Sequence, residues 1–130
     1  VSDARFLSAL DVRWHDDGHA ELLAPFCYLS AVVGVGRLSV PTGYVTDFAS
    51  VPRLPFVFWL VGARAHKASV LHDWGYSSQL VSQADADAVF YEAARLGGVA
   101  LWAAWAMWAG LRLAGGAAYA SYTAIHGRSR

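Results

Sequence analysis

A chain of 130 residues is long enough for one ordinary domain with a real core and too short for two. Lysine plus arginine equals aspartate plus glutamate, ten of each, so no overall field draws the chain to nucleic acid or to an anionic membrane, and its function must rest on local sites. The balance of the composition is unusual: 56% of residues are hydrophobic, 15% are charged and six are tryptophan, which predicts apolar surface buried against a partner chain, a lipid phase or both.

In chain order, the first residues, VSDARFLSAL, lack the basic region and long apolar run of a signal peptide, a reading that leaves open a leader ahead of Val1. Residues 10 to 45 read as β. VRWHDDGHAELL alternates on both sides of Asp16, Asp17 and Gly18, a hairpin signal, and CYLSAVVGVGRLSV is rich in β-branched residues and glycine. Cys27 is the lone cysteine, which excludes an internal disulfide. Gly34 and Gly36 do not form a phosphate loop, because no Lys followed by Ser or Thr stands at the required spacing. PTGYVTDFASVPRLP, with three prolines and a glycine, reads as loop, placed at 46–62.

From about Ala63 the period becomes helical. A first helix is expected from near Arg64 to Ser78, with Lys67, Val70, Leu71 and Trp74 at helical spacing. A second starts at Ser82, which forms a capping-box pattern with Asp85, and stops at Gly97 and Gly98. A third is expected from about Val99 to Ala114, ended by Gly115 and Gly116. Its segment VALWAAWAMWAGL is apolar all round but too short to span a bilayer, so a core or partner-facing helix is favoured over interfacial lipid contact, with Trp102, Trp105 and Trp108 on one side and alanines packing on the other. The chain therefore reads as a single α+β domain over 1–130, with hairpins first (1–45), a loop (46–62) and three helices (63–130).

The chemistry concentrates in VLHDWGYSSQ. On a helix, Tyr76 lies one turn along the face of His72, whereas Asp73 points about 100 degrees away, so the two neighbours address different partners. The short connector 79–81 makes the next helix antiparallel and brings Asp85 or Asp87 within reach of His72. A carboxylate against Nδ1 would fix the tautomer and leave Nε2 to accept a proton from water; a buried structural bond between two helices is the competing reading. Asp73 is left to meet a cation, with Asp47 and backbone carbonyls of VTDFASVP as further oxygen ligands. Such a set suits calcium; zinc would need more His or Cys than His66.

Three ordered motifs, TDF at 46–48, HDWGY at 72–76 and DAVFYEAA at 87–94, resemble the small secreted bacterial and fungal phospholipase A2 enzymes. Over more of the chain, VPTGYVTDFASVPR, VLHDWGY and ADAVFYEAA resemble a family of unknown function encoded in tailed-phage and prophage genomes, from about Val40 to Tyr119. The lipase resemblance implies an antiparallel helix pair in which His72 is the general base, Asp87 orients it and Tyr76 packs on or bonds to the site. It also implies calcium on Asp73 and Asp47, binding the substrate phosphate and polarising the ester carbonyl. The absence of disulfides and the β-rich first 40 residues depart from that pattern.

Two functions follow as expectations. One is a phage tail or virion protein that hydrolyses host-envelope phospholipid with calcium. The other is a non-catalytic tail-tip or baseplate component whose Trp-rich surface binds neighbouring virion proteins.

Overall fold

The computed structural model describes residues 3–46 and 65–128. Six short strands come first: β1 (Arg5–Phe6), β2 (Val12–Trp14), β3 (Ala20–Leu22), β4 (Phe26–Leu29), β5 (Arg37–Val40) and β6 (Val45–Thr46). Three helices follow among the described residues: α1 (His66–Ser78), α2 (Gln83–Leu96) and α3 (Leu101–Arg128). This is the expected α+β order of strands then helices.

The strands form two antiparallel three-stranded sheets, ordered β1-β4-β5 and β2-β3-β6. The Asp16–Gly18 hairpin forms as read, with Val12 opposite Leu22, Trp14 opposite Ala20 and Gly18 at φ 87°. That positive φ suits the residue without a Cβ. In the other sheet Phe26 faces Val40 and Tyr28 faces Leu38. The period of two turns these four side chains into the core and leaves Cys27 and Ser39 on the outer face. β1 lies within the expected β-rich 1–45 but ahead of the pattern read from residue 10; two residues are too few to show a period.

Helix α1 starts within two residues of the expected place and ends at Gln79, whose φ of 55° is left-handed and whose N–H donates to the Gly75 carbonyl. The Gln79 side chain donates to the Tyr119 carbonyl and to Thr123 Oγ1, tying this turn to α3. Ser82 caps α2 by accepting from the Asp85 N–H at 3.2 Å, one half of the predicted capping box. Helices α1 and α2 pack on each other, and Gly75 makes this close: a Cβ there would stand 3.0 Å from that of Ala86.

Helix α3 departs from expectation, because it passes straight through Gly115 and Gly116 to Arg128. Glycine costs a helix interior about 1 kcal/mol relative to alanine, so a packing gain must outweigh it. At Gly115 that gain is visible. An added Cβ would collide with the Tyr76 hydroxyl and lie 3.3 Å from its Cζ, so the absent side chain is what admits the tyrosine. The expected division of the α3 faces is present: Ala103, Ala104, Met107 and Leu111 are buried, whereas Trp102 and Trp105 are exposed. No helix among the described residues is long and apolar enough to cross a membrane.

A carboxylate joins the helical layer to the strands. Glu92 of α2 accepts from Tyr28 Oη at 2.6 Å, Ser30 Oγ at 2.9 Å and the Ala31 N–H at 3.1 Å. Tyr28→Phe removes one of three donors and leaves the other two. The expected cost is about 1 kcal/mol, read as a lower urea midpoint with an unchanged m-value.

Candidate active site

His72 and Tyr76 lie one turn apart on α1 and face Asp87, in the second turn of α2. The His72 ring donates from Nε2 to Asp87 Oδ1 at 2.7 Å, and Tyr76 Oη donates to the same oxygen at 2.7 Å. The rings of His72 and Tyr76 lie 4.1 Å apart between centroids, and Phe90 packs edge-on to His72 at 5.7 Å. His72, Tyr76 and Asp87 are all fully buried. The choice between Asp85 and Asp87 is thus made by the helix face: Asp87 points inward, while Asp85 stays in the capped first turn.

A third helix completes the arrangement. Arg112 of α3 donates from Nη1 to the other carboxylate oxygen, Asp87 Oδ2, at 2.9 Å. Its side chain remains 39% exposed, so the guanidinium reaches the buried carboxylate from the surface. Asp87 thereby meets donors at both oxygens, one of them a guanidinium, which satisfies a buried acidic group. Sequence reading missed Arg112 as a partner. A charge inside an apolar helix signals a buried counter-ion, and Arg112 is such a charge.

One expectation is corrected. The sequence expectation puts the carboxylate on Nδ1 and leaves Nε2 for water; in the structure Nε2 carries the bond to Asp87. The reason is reach. A histidine ring pointing across to an antiparallel helix offers its far nitrogen, Nε2, to that helix, while Nδ1 stays nearer its own backbone.

Asp73 points away from this cluster, as the 100-degree offset requires. Its Oδ2 accepts from Thr46 Oγ1 at 2.5 Å and from Tyr44 Oη at 3.1 Å, and Tyr44 Oη also meets Ser77 Oγ at 2.8 Å. Asp73 is almost wholly buried. These bonds set the segment 44–46 against α1. Asp47, the other expected metal ligand, follows Thr46 in sequence and lies outside the described residues, as do most of the proline-rich loop and LPFVFWLVGA. Among the described residues no group of three or more His, Cys, Asp or Glu side chains could hold a metal ion. A calcium ion would find one expected carboxylate, Asp73, at the segment that leads to Asp47, so the described part of the donor set fits a hard cation only in part.

Three phenols, Tyr28 and Tyr76 buried and Tyr44 half-buried, share one chemistry. Burial first, and the neighbouring carboxylate second, raise the pKa of Tyr28 beside Glu92, Tyr44 beside Asp73 and Tyr76 beside Asp87. All three stay protonated and donate. Since the folded pKa lies above the unfolded value of about 10, their stabilisation is complete below that pH and declines as pH rises past it. Urea midpoints measured from about pH 7 to about pH 11 are expected to stay level and then fall above about pH 10, less steeply in Tyr76→Phe.

No curated protein and no solved structure matches the chain. A family model does, over residues 20–111, a span that runs from β3 into α3 and takes in His72, Asp73, Tyr76 and Asp87, stopping one residue before Arg112. The chain belongs to this family, described as a protein of unknown function, DUF1353.

Proposed function

We propose that this is a tailed-phage protein, carried in the tail of the virion, that hydrolyses lipid esters of the host envelope in the manner of phospholipase A2. The observation that carries the reading is the pair of 2.7 Å bonds that His72 Nε2 and Tyr76 Oη make to one oxygen of Asp87. A carboxylate bonded at Nε2 fixes the orientation of the ring and would stabilise the imidazolium formed when a histidine takes a proton in acid–base catalysis. Tyr76 and Arg112 hold that carboxylate in place. In this reading Asp73 and Asp47 would hold calcium, which would supply positive charge for the substrate phosphate and ester carbonyl.

The His72 ring is fully buried, so water and ester must reach it through an opening of the surrounding structure. Hydrolysis is therefore expected to be faster on lipid aggregates than on dispersed short-chain esters.

The calcium part is tested by calorimetry and by calcium-dependent fatty-acid release from mixed phospholipid vesicles. The wild type is expected to bind calcium and hydrolyse; Asp73→Asn is expected to lose both while keeping its fold by circular dichroism. Equal calcium binding by the two proteins would remove Asp73 from the site.

A second reading is a non-catalytic part of the tail tip or baseplate. It is favoured by a different observation, the exposed apolar side chains Leu101, Trp102, Trp105 and Leu113 of α3. A chain that stays monomeric at high concentration and binds no purified tail protein would count against it.

A further inference from the structure

A groove separate from His72 runs along the outer side of α2 and α3. On one side of Tyr91 lies a cavity of about 330 Å³ lined by Ala88, Tyr91, Trp105 and Trp108. On the other lies one of about 460 Å³, lined by Val32, Ala88, Tyr91, Glu92, Arg95 and Leu96. Ala88 and Tyr91 wall both, so the halves meet along one face of α2, and each has the size of a small-molecule site.

The two halves differ in chemistry. In the first, three of the four lining residues among those described carry aromatic rings and none of the four is charged. Ala88, with nothing beyond Cβ, leaves the space between those rings open. An acyl chain would be served equally by aliphatic walls, whereas indole and phenol rings add the negative face of a quadrupole. A trimethylammonium group is weakly hydrated for a cation, so it gives up little on entering and gains that attraction. In the second half the Glu92 carboxylate is turned toward its three donors from residues 28–31. Arg95 is exposed, gives one Nη1 bond to the Val99 carbonyl at 2.9 Å and makes no ion pair among the described residues. Its remaining guanidinium donors suit a phosphate.

We propose that this groove binds a phosphocholine-type zwitterion, with the trimethylammonium group among Tyr91, Trp105 and Trp108 and the phosphate on Arg95. The inference does not rest on hydrolysis at His72, and its test reads binding alone.

The test follows the indole N–H resonances of Trp105 and Trp108 while the whole chain is titrated with choline chloride, with phosphocholine and with dimethylbutanol, the neutral carbon isostere of choline. Choline is expected to shift both resonances at millimolar concentration, phosphocholine to bind more tightly, and the neutral isostere to bind at least about fivefold more weakly than choline. Trp105→Leu, at an exposed position, is expected to weaken choline binding about fivefold or more, and Trp105→Phe to restore part of it. Arg95→Gln is expected to reduce phosphocholine to the affinity of choline and leave choline unchanged. Equal binding of the neutral isostere, or no shift with choline and phosphocholine, overturns the proposal. Cosedimentation with phosphatidylcholine vesicles, absent with phosphatidylglycerol vesicles and competed by free phosphocholine, would assign the group to a lipid headgroup. Binding of free phosphocholine without cosedimentation would assign it to a soluble ligand.

Discussion

Asp87→Ala is expected to cost about 3–5 kcal/mol of folding stability, the range for breaking a buried ion pair from one side. The substitution removes the acceptor of three donors at once: His72 Nε2, Tyr76 Oη and Arg112 Nη1. Arg112 can turn to solvent, being 39% exposed. His72 and Tyr76 cannot, because both are fully buried, and their unsatisfied donors account for most of the loss. Arg112→Leu is the informative comparison. It leaves Asp87 with the His72 and Tyr76 donors, so its cost should be smaller, and the double variant should lose less than the sum of the two. Urea denaturation of the three variants decides; a loss under about 1 kcal/mol in Asp87→Ala would mean that the network contributes little to the fold.

The second large effect is at the glycine pair of α3. Gly115→Ala must displace Tyr76, whose hydroxyl occupies the position of the new methyl group, and with it the 2.7 Å bond to Asp87. Overpacking together with the lost bond to a charged acceptor is expected to cost on the order of 3 kcal/mol. Gly116→Ala should do the opposite. The nearest atom to its new Cβ is Gln83 Nε2 at 4.0 Å, so nothing opposes the better helix propensity of alanine, and stability should rise by up to about 1 kcal/mol. Adjacent glycines with opposite signs are a demanding comparison, because helix propensity alone gives both the same sign. Thermal and urea unfolding of the pair measure it.

Those two glycines also show where sequence reading stops. A Gly-Gly pair after an apolar run has the local chemistry of a helix end, and only the approach of Tyr76 from another helix explains why the helix continues. Local signals were sufficient elsewhere: the hairpin at Asp16–Gly18, the Ser82 cap, and the turn that sets α2 antiparallel to α1 depend on residues near in sequence. His72, Tyr76 and Asp87 were legible as a group for the same reason, since i to i+4 spacing and a short connector fix their faces. The choice of ring nitrogen was not, because it depends on how far the histidine reaches across the helix interface. Arg112 and Glu92 escaped notice because their partners lie far along the chain, 25 residues for the Asp87–Arg112 bond and 64 for that between Tyr28 and Glu92. Such pairs carry no periodic signature.

Three carboxylates, Asp73 and Asp87 buried and Glu92 half-buried, are held alike. Asp73, Asp87 and Glu92 each receive a phenol, from Tyr44, Tyr76 and Tyr28 in turn, together with at least one further donor. Two of these clusters join α1 or α2 to the strand-bearing half of the chain; the Asp87 cluster joins the three helices to one another. Satisfied carboxylates of this kind serve a scaffold as well as a catalyst, and the two roles of His72 differ in what its loss does to hydrolysis.

The most direct test is fatty-acid release from mixed phospholipid vesicles in calcium, comparing the wild type with His72→Ala. The hydrolase account predicts release by the wild type and a loss of about 10²–10⁴-fold in the variant, with folding of both shown by circular dichroism. No release by folded wild type in the presence of calcium, or equal release by the two proteins, would contradict it and leave His72 as part of an internal strut between helices.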